Sequence, residues 1–563
     1  MGFILPGCSD CGTPPASDRT QGQYSAIPIP MSQLPDIDSH SLMEGIVELA
    51  SDDYQGRAPG SKGETQTVGY LVNQFKSMGL QPGNTDGSYV QDVPLVGIRT
   101  EGAPLIVKDG DEQRELAWND QVVAWTKHVV GSAIVIDSEM VFVGYGVVAP
   151  EYDWDDYKDV DVKGKTLLML VNDPPVRDPS SPDGLDPNVF GGSAMTHYGR
   201  WTYKFEIAAE QGAAAALIIH ETEPAGYPFS VLQGGNGGER FDLVTPDRNM
   251  NRASIEGWVP VEQGRTLLGM AGQDFDALKA QARTRQFKPV PLGITASMAL
   301  TNTLRTIDSQ NVVARLEGRD PSVAHEHVIY TAHWDHLGVG SEVDGDSIYN
   351  GAKDNASGTA GLLEIARAFT QLPEPPRRSI LFLAVTAEEQ GLLGSQHYSV
   401  APIYPLADAV ANINLDGLNM YGRTSDLTLV GYGASDLDNY VRAAAGEQGR
   451  VVRPDPEPQS GNYYRSDHFN FARQGVPALY PDDGADFVGQ TPEMSARVQR
   501  EYRALDYHKP SDEVKDDWDS SGASEDLKLV LAVGYRVAEA ETIPEWSPGN
   551  EFRARREEML KQR

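Results

Sequence analysis

Apolar positions along the chain change their period twice. From Ser41 a helical spacing joins Leu42, Ile46, Val47 and Leu49, and a second helix over 60–81 carries Val68, Leu71, Val72, Phe75 and Leu80, with Gly79 near its end. Between about 130 and 290 the runs shorten. Strand-like stretches at 133–136, 140–143 and 166–171 are separated by acidic and Pro/Gly turns, and a helix over 203–211 leads through Gly212 into an apolar strand at 213–219. Beyond 291, strand and helix patterns alternate at 311–316, 328–332, 361–369, 379–385, 392–398, 410–415, 427–430, 437–445, 469–474 and 478–480; a helix is predicted over 525–540, and 551–563 reads as a charged helix or tail. Such alternation predicts an α/β sandwich around a mostly parallel sheet, with the middle segment as a β-rich insert.

These patterns divide the chain into 1–38, a Pro/Ser/Gly-rich tether; 39–129, the first part of the main domain; 130–290, the insert; 291–545, the main α/β domain; and 546–563, a charged tail. At 563 residues the chain is long enough for several separate cores. Composition narrows the classes. Forty-seven Lys and Arg against 81 Asp and Glu leave a formal charge of −34, which repels phosphate backbones and anionic lipid and argues against a nucleic-acid partner. No run approaches the roughly 20 apolar residues of a spanning helix. The two cysteines, Cys8 and Cys11, fall in the first dozen residues, so neither a disulfide framework nor a cysteine zinc site is expected in the body. Leu5-Pro6-Gly7-Cys8 resembles the cleavage box of a bacterial lipoprotein, which would make Cys8 a lipid anchor on an exported protein, periplasmic, secreted or held at the outer membrane.

The chemistry-bearing residues lie in the last alternating region. One predicted strand runs into His333-Trp334-Asp335; the next ends in Glu388-Glu389; a third ends in Asp416; Asp354 and His508 sit in loops between and after them. Singly, each has an ordinary reading as a loop histidine, a helix cap or a solvated carboxylate. Together they place ionisable groups past the ends of successive apolar strands, where open α/β sheets build their sites. Two His, two Asp and one Glu without cysteine form a nitrogen and oxygen donor set for a borderline divalent metal such as zinc, with cobalt or manganese able to use the same ligands. Five donors exceed one open tetrahedral site and suit two metals sharing a carboxylate. Adjacent glutamates allow one to bind metal while the other moves a proton.

The strings TAHWDHLG, NGAKDNASGTAGLLEIAR, AVTAEEQGLLGS, NLDGLN, RSDHFNFARQGVPAL and YHKPSD together resemble the di-zinc exopeptidase family that includes bacterial leucyl aminopeptidase and glutamate carboxypeptidase II. Residues 130–290 resemble, more faintly, the protease-associated domain that some members insert. The resemblance implies a three-layer α/β/α sandwich with a mixed, mostly parallel sheet, and two Zn ions. It implies that Asp354 bridges the metals, that His333 and Asp416 complete one site and Glu389 and His508 the other, that Glu388 is the general base, and that Asp335 orients His333. It also implies a cis Asp354–Asn355 bond and a substrate pocket near Arg465 and His468; His468 is a rival to His508 as ligand, and His508 better fits the family's string. The implied activity is release of N-terminal residues from peptides. A carboxypeptidase or acidic-dipeptide hydrolase, a glutaminyl cyclase, and a receptor-like binding module share the fold and remain open at this point, as does oligomeric state.

Overall fold

The computed structural model describes residues 29–563 except 182–183, 236 and 562. Cys8, and with it the expected lipid anchor, lies outside the described residues. Residues 31–38 correct the expected tether. Met31 and Leu34 are buried against the main core, the Met31 N–H donates to Glu447 Oε2 at 2.7 Å, and Lys528 Nζ donates to the Leu34 and Pro35 carbonyls. A proline-rich segment has no period to read, yet two apolar side chains are enough to dock it.

The main domain is a mixed sheet between helices. Its strands run in the order Gln81–Pro82, the end of Val290–Leu316, Ser379–Val385, His327–His333, Ala409–Asn414, Ala478–Asp482, Asp426–Val430 and Val451–Pro454. The four central strands, from Ser379–Val385 to Ala478–Asp482, are mutually parallel, and the first three are wholly buried. That burial explains their unbroken apolar character, and their parallel course brings all four C-terminal ends to one edge. Helices Ser39–Leu49, Lys62–Ser77, Gly358–Thr370, Leu437–Glu447 and Ser521–Glu539 share the larger core with one face of this sheet. Leu393–Val400 and His468–Arg473 contribute Tyr398 and Phe471 to a smaller cluster on strand residues of opposite alternation, such as Ile329, Leu381 and Leu383. The sandwich is therefore three-layered. No helix among the described residues is long and apolar enough to cross a membrane.

A second core draws on residues from Leu105 to Leu300. Here Thr166–Leu170, Ala215–His220 and Ile255–Pro260 pair in parallel, flanked by helices Trp201–Glu210 and Val261–Met270. The runs expected at 133–136 and 140–143 form one strand, Ser132–Phe142, bent at Asp137, whose φ is 44°, opposite a register shift in its partner. The polar pair Asp137-Ser138 breaks the alternation because the strand bulges there, not because it ends. Two long strands join the cores: Val90–Gly102 pairs with Val290–Leu316 over thirteen positions, from Val90 against Val312 to Gly102 against Leu300. Val290–Leu316 spans 27 residues, pairing in the insert at its start and in the main sheet at its end.

Candidate metal centre

The three central strand ends deliver His333, the Glu388–Glu389 turn and Asp416 to one place, and two loops close over them. Asp354 sits in the tight turn Ala352–Ser357 before helix Gly358–Thr370, and its peptide bond to Asn355 is cis. Asp512 clamps this turn, accepting the Lys353 and Asp354 N–H groups at 3.0 and 3.1 Å. His508 arrives from the loop after helix Pro492–Glu501. Ala387 and His508 both adopt left-handed φ, 54° and 57°, a conformation uncommon for non-glycine residues.

Distances sort the side chains into two groups that share one member. His333 Nε2 lies 3.1 Å from Asp416 Oδ1 and 3.3 Å from Asp354 Oδ1. His508 Nε2 lies 3.2 Å from Asp354 Oδ2 and 3.1 Å from Glu389 Oε2. Asp354 thus turns one oxygen to each group. His333, Asp354 and Asp416 stand close enough to hold one ion; His336, Asp354 and Glu389 form a second such cluster. Among the described residues no Lys or Arg is paired with Asp335, Asp354, Glu389 or Asp416, whose ion-pair partners are all histidines.

Electrostatics follow from that crowding. Burial disfavours a charged imidazole at His333, but Asp416 and Glu388 outweigh it and hold His333 well above its ordinary range. His508 is raised in the same way to about 10, by Asp354 and Glu389. Burial also opposes charge on Asp354 and Glu389, yet the facing imidazoles win, keeping Asp354 well below the usual range and Glu389 at about 2. Glu388 moves the other way: burial, then Asp416 and Glu389, push its carboxyl far up despite His333. Of two adjacent glutamates, one is kept ionised and the other favours its proton. Nitrogen and oxygen donors in two sets around a shared carboxylate fit a pair of zinc-like cations.

The structure adds detail to several expected roles. The Asp335 carboxylate stands 3.8 Å from His333 Nδ1, whose 3.1 Å partner is the Asp335 carbonyl. The carboxylate instead accepts the N–H groups of Glu388 and Glu389 at 3.0 and 3.4 Å, and burial raises it to about 7. Arg465 is exposed, with Nε donating to the Ser460 carbonyl at 3.1 Å. His468 is not brought to the site surface. It is fully buried between the rings of Tyr463 and Tyr480, and burial lowers it to about 3. Helix His468–Arg473 turns this position inward, so the expected substrate contact at His468 is withdrawn.

Three features were not singled out from sequence. His336, two residues after Asp335, is fully buried with Nδ1 at 2.5 Å from Glu389 Oε1. Arg57, 1% exposed, donates to four carbonyls: Trp334 at 2.9 Å, Leu49 and Asn350 at 2.6 Å, and Gly351 at 2.9 Å. It ties the His333 and Asp354 loops to the first helix. A buried polar chain runs from Asn412 through Thr331 and Asn414 to Ser466, whose hydroxyl donates to Asp416 Oδ2. For His336 the available signal was the repeated histidine in HWDH; for Arg57, its place after Gly56 in a turn whose φ values are 64° and 52°.

Residues 311–532 match the model of peptidase family M28. Aminopeptidase YwaD of Bacillus subtilis (strain 168) is 28% identical over 335 residues, covering 58% of this chain and 58% of its own. Aminopeptidase NAALADL1 of Mus musculus is 32% identical over 331 residues, covering 50% of this chain and 42% of its own. The chain spans about half the length of these relatives. Among solved structures, an aminopeptidase from Aneurinibacillus sp. strain AM-1 aligns over 90% of this chain and 94% of its own, at 21% identity and a TM-score of 0.43. The matched segment, 311–532, contains His333, Asp354, Glu388, Glu389, Asp416 and His508.

Proposed function

We propose that this chain is a zinc-dependent aminopeptidase, with Asp354 shared between two cations. The observation that carries the reading is the pair of Asp354 oxygens, one facing His333 and Asp416, the other facing Glu389 and His508. His333 and Asp416 would hold the first ion and Glu389 and His508 the second. Cations held there would supply Lewis acidity, lowering the pKa of a bound water and polarising the scissile carbonyl. Glu388, adjacent to Glu389 yet in neither donor group, takes the proton of the attacking water and passes it to the leaving amine. Asp335 holds the Glu388 and Glu389 backbone in place, and Ser466 fixes Asp416.

Charge favours an aminopeptidase over a carboxypeptidase. Arg57 is spent on backbone carbonyls and Lys353 on Asp483 at 3.0 Å. With those two cations engaged elsewhere, no Lys or Arg among the described residues is paired with the centre's own carboxylates to receive a terminal carboxylate. The insert, read as a protease-associated module, bounds the pocket from one side, since its Leu243 clusters with Ala387 and Leu393 beside the catalytic turn. A body free of thiols suits an exported enzyme, a placement that rests on sequence composition alone.

The test is a panel of aminoacyl-p-nitroanilides, each beside its N-acetylated twin. Cleavage of the free-amine members alone, lost with chelator and restored by zinc, is the expected result. No cleavage of either set overturns the reading in favour of a C-terminal exopeptidase, a cyclase or a binding module.

A further inference from the structure

His336 is the one buried histidine beside the two donor groups that the proposed mechanism leaves unused. Its ring is 0% exposed, and its centroid lies 5.7 Å from that of His508. Space for it is built in: a Cβ on Gly351, which has φ 57°, would fall 2.5 Å from the His336 ring. Only a residue without Cβ fits there, so the turn carrying Asp354 is shaped around this imidazole. The two oxygens of Glu389 have different partners. Oε2 faces His508 Nε2 at 3.1 Å, on the side of Asp354, while Oε1 meets His336 Nδ1 at 2.5 Å. The 2.5 Å contact joins an imidazole nitrogen to a carboxylate oxygen, and a carboxylate accepts, so Nδ1 is the donor. Among the described residues Nε2 has no hydrogen-bond partner.

We propose that His336 is a positioning residue for the second cation: its Nδ1–H anchors Glu389 Oε1, which leaves Oε2 aimed, with His508 Nε2 and Asp354 Oδ2, at one point. The proposal rests on the two-cation reading above. It gives the second donor set a fixed element, because His508 is 35% exposed on a loop whereas His336 follows directly from the end of a central strand. A carboxylate free to swing would present either oxygen; one pinned at Oε1 presents a single donor. Hydrogen bonds of this kind to metal-binding side chains are worth about 10–100-fold in affinity.

The experiment measures zinc content and zinc affinity, by competition with a chromophoric chelator, for the full chain and for His336→Leu and His336→Asn. Asparagine offers an amide N–H where Nδ1–H stands; leucine offers none. The expected result is two ions in the unsubstituted protein, one of them about 10–100-fold weaker in the Leu variant, and most of that loss recovered in the Asn variant. kcat at limiting zinc should follow the weak ion and return when zinc is in excess. Unchanged affinity for both ions in the Leu variant overturns the proposal, as does an Asn variant no better than Leu, which would make the imidazole itself a ligand. Anomalous scattering from zinc-loaded wild-type crystals decides the same point without a substitution: zinc should lie at roughly 2.0–2.1 Å from His508 Nε2 and away from His336, and a bond to His336 refutes the assignment. Fewer than two ions in the unsubstituted protein overturns the two-cation reading itself and is recognisable because no variant is involved.

Discussion

Two central parallel strands in this molecule end in a buried histidine. His327–His333 lies between Ser379–Val385 and Ala409–Asn414 in the main sheet, and Ala215–His220 lies between Thr166–Leu170 and Ile255–Pro260 in the insert. Each histidine is followed within two residues by a carboxylate, Asp335 or Glu221. What differs is how neighbouring elements end. Around His333 they deliver Glu388, Glu389, Asp416 and Asp354, none paired with Lys or Arg among the described residues. Around His220 they deliver rings: Tyr227, Phe229 and Trp258 stand at centroid distances of 5.4–5.9 Å, and among the described residues Nε2 has no hydrogen-bond partner. The insert's carboxylates are satisfied from within, Glu221 by Lys279 Nζ and Asp173 by the Thr196 N–H and hydroxyl. A strand-end histidine is therefore common to both sheets; a convergence of uncompensated carboxylates belongs to one.

The sharpest way to break this contrast is to make the same isosteric change at both ends. Glu388→Gln should lower kcat by about 10²–10⁴-fold, the usual worth of a placed acid/base group, with zinc content unchanged by metal analysis. Glu221→Gln should leave kcat unchanged. Wild-type turnover in Glu388→Gln would remove the distinction, and so would an equal loss at Glu221.

Arg57 tests whether the catalytic edge needs its loops tied. Its guanidinium is deprived of water, which lowers it to about 10, and its hydrogen bonds go to four backbone carbonyls. Arg57→Met leaves these carbonyls buried and unmatched, at a cost of about 3 kcal/mol or more. Lysine cannot reproduce the fork, so Arg57→Lys should recover little of it. Urea titration reads the loss, which should fall on the transition of the main core. A stability within error of wild type would show that the loops hold themselves.

Zinc itself separates the two regions at a smaller scale. A cation bound only by the folded main domain stabilises it by about 2.7 kcal/mol at a hundred times its dissociation constant. Calorimetry with and without chelator should therefore move the main-core transition and leave the insert's in place. Equal movement of both would mean that the two cores unfold as one unit.

Sequence reading reached the main sheet because strands buried on both faces are uniformly apolar, and residues after them stand out by contrast. His333, Glu388, Glu389 and Asp416 were visible for that reason. Asp354 and His508 needed the longer strings around them, since a loop residue has no period to betray it. Val290–Leu316 was legible only at its end: Thr301-Asn302-Thr303 and Arg305-Thr306 interrupt the apolar pattern where the ribbon to the insert is largely exposed. His468 misled because an inward helix face and a pocket wall share the same polar letter. Arg57 was hidden by its setting, because an arginine after a glycine in a turn reads as solvated, and its φ of 52° and four carbonyl partners emerge only from tertiary packing.

The finest distinction between the two cores is their response to pH, and Asp156 in the insert provides it. Its carboxylate is 1% exposed, accepting from the Val147 N–H at 3.0 Å and Trp154 Nε1 at 2.9 Å, and burial raises it from the ordinary value of 3.8 to about 7. Because the folded-state value is raised, the folded insert keeps this proton after the unfolded chain has lost it. The stability it lends is complete below about pH 4, falls as pH rises to about 7, and is flat beyond, with a slope of at most about 1.4 kcal/mol per pH unit. Asp156→Asn removes the titration while keeping one of the two acceptors. Melting temperatures from pH 4 to 7 should then decline less steeply for the insert transition of the variant than for that of wild type. Parallel slopes would place the proton elsewhere. A change in the main-core transition instead would show that the ribbon of Val90–Gly102 and Val290–Leu316 transmits the insert's charge state to the catalytic sheet.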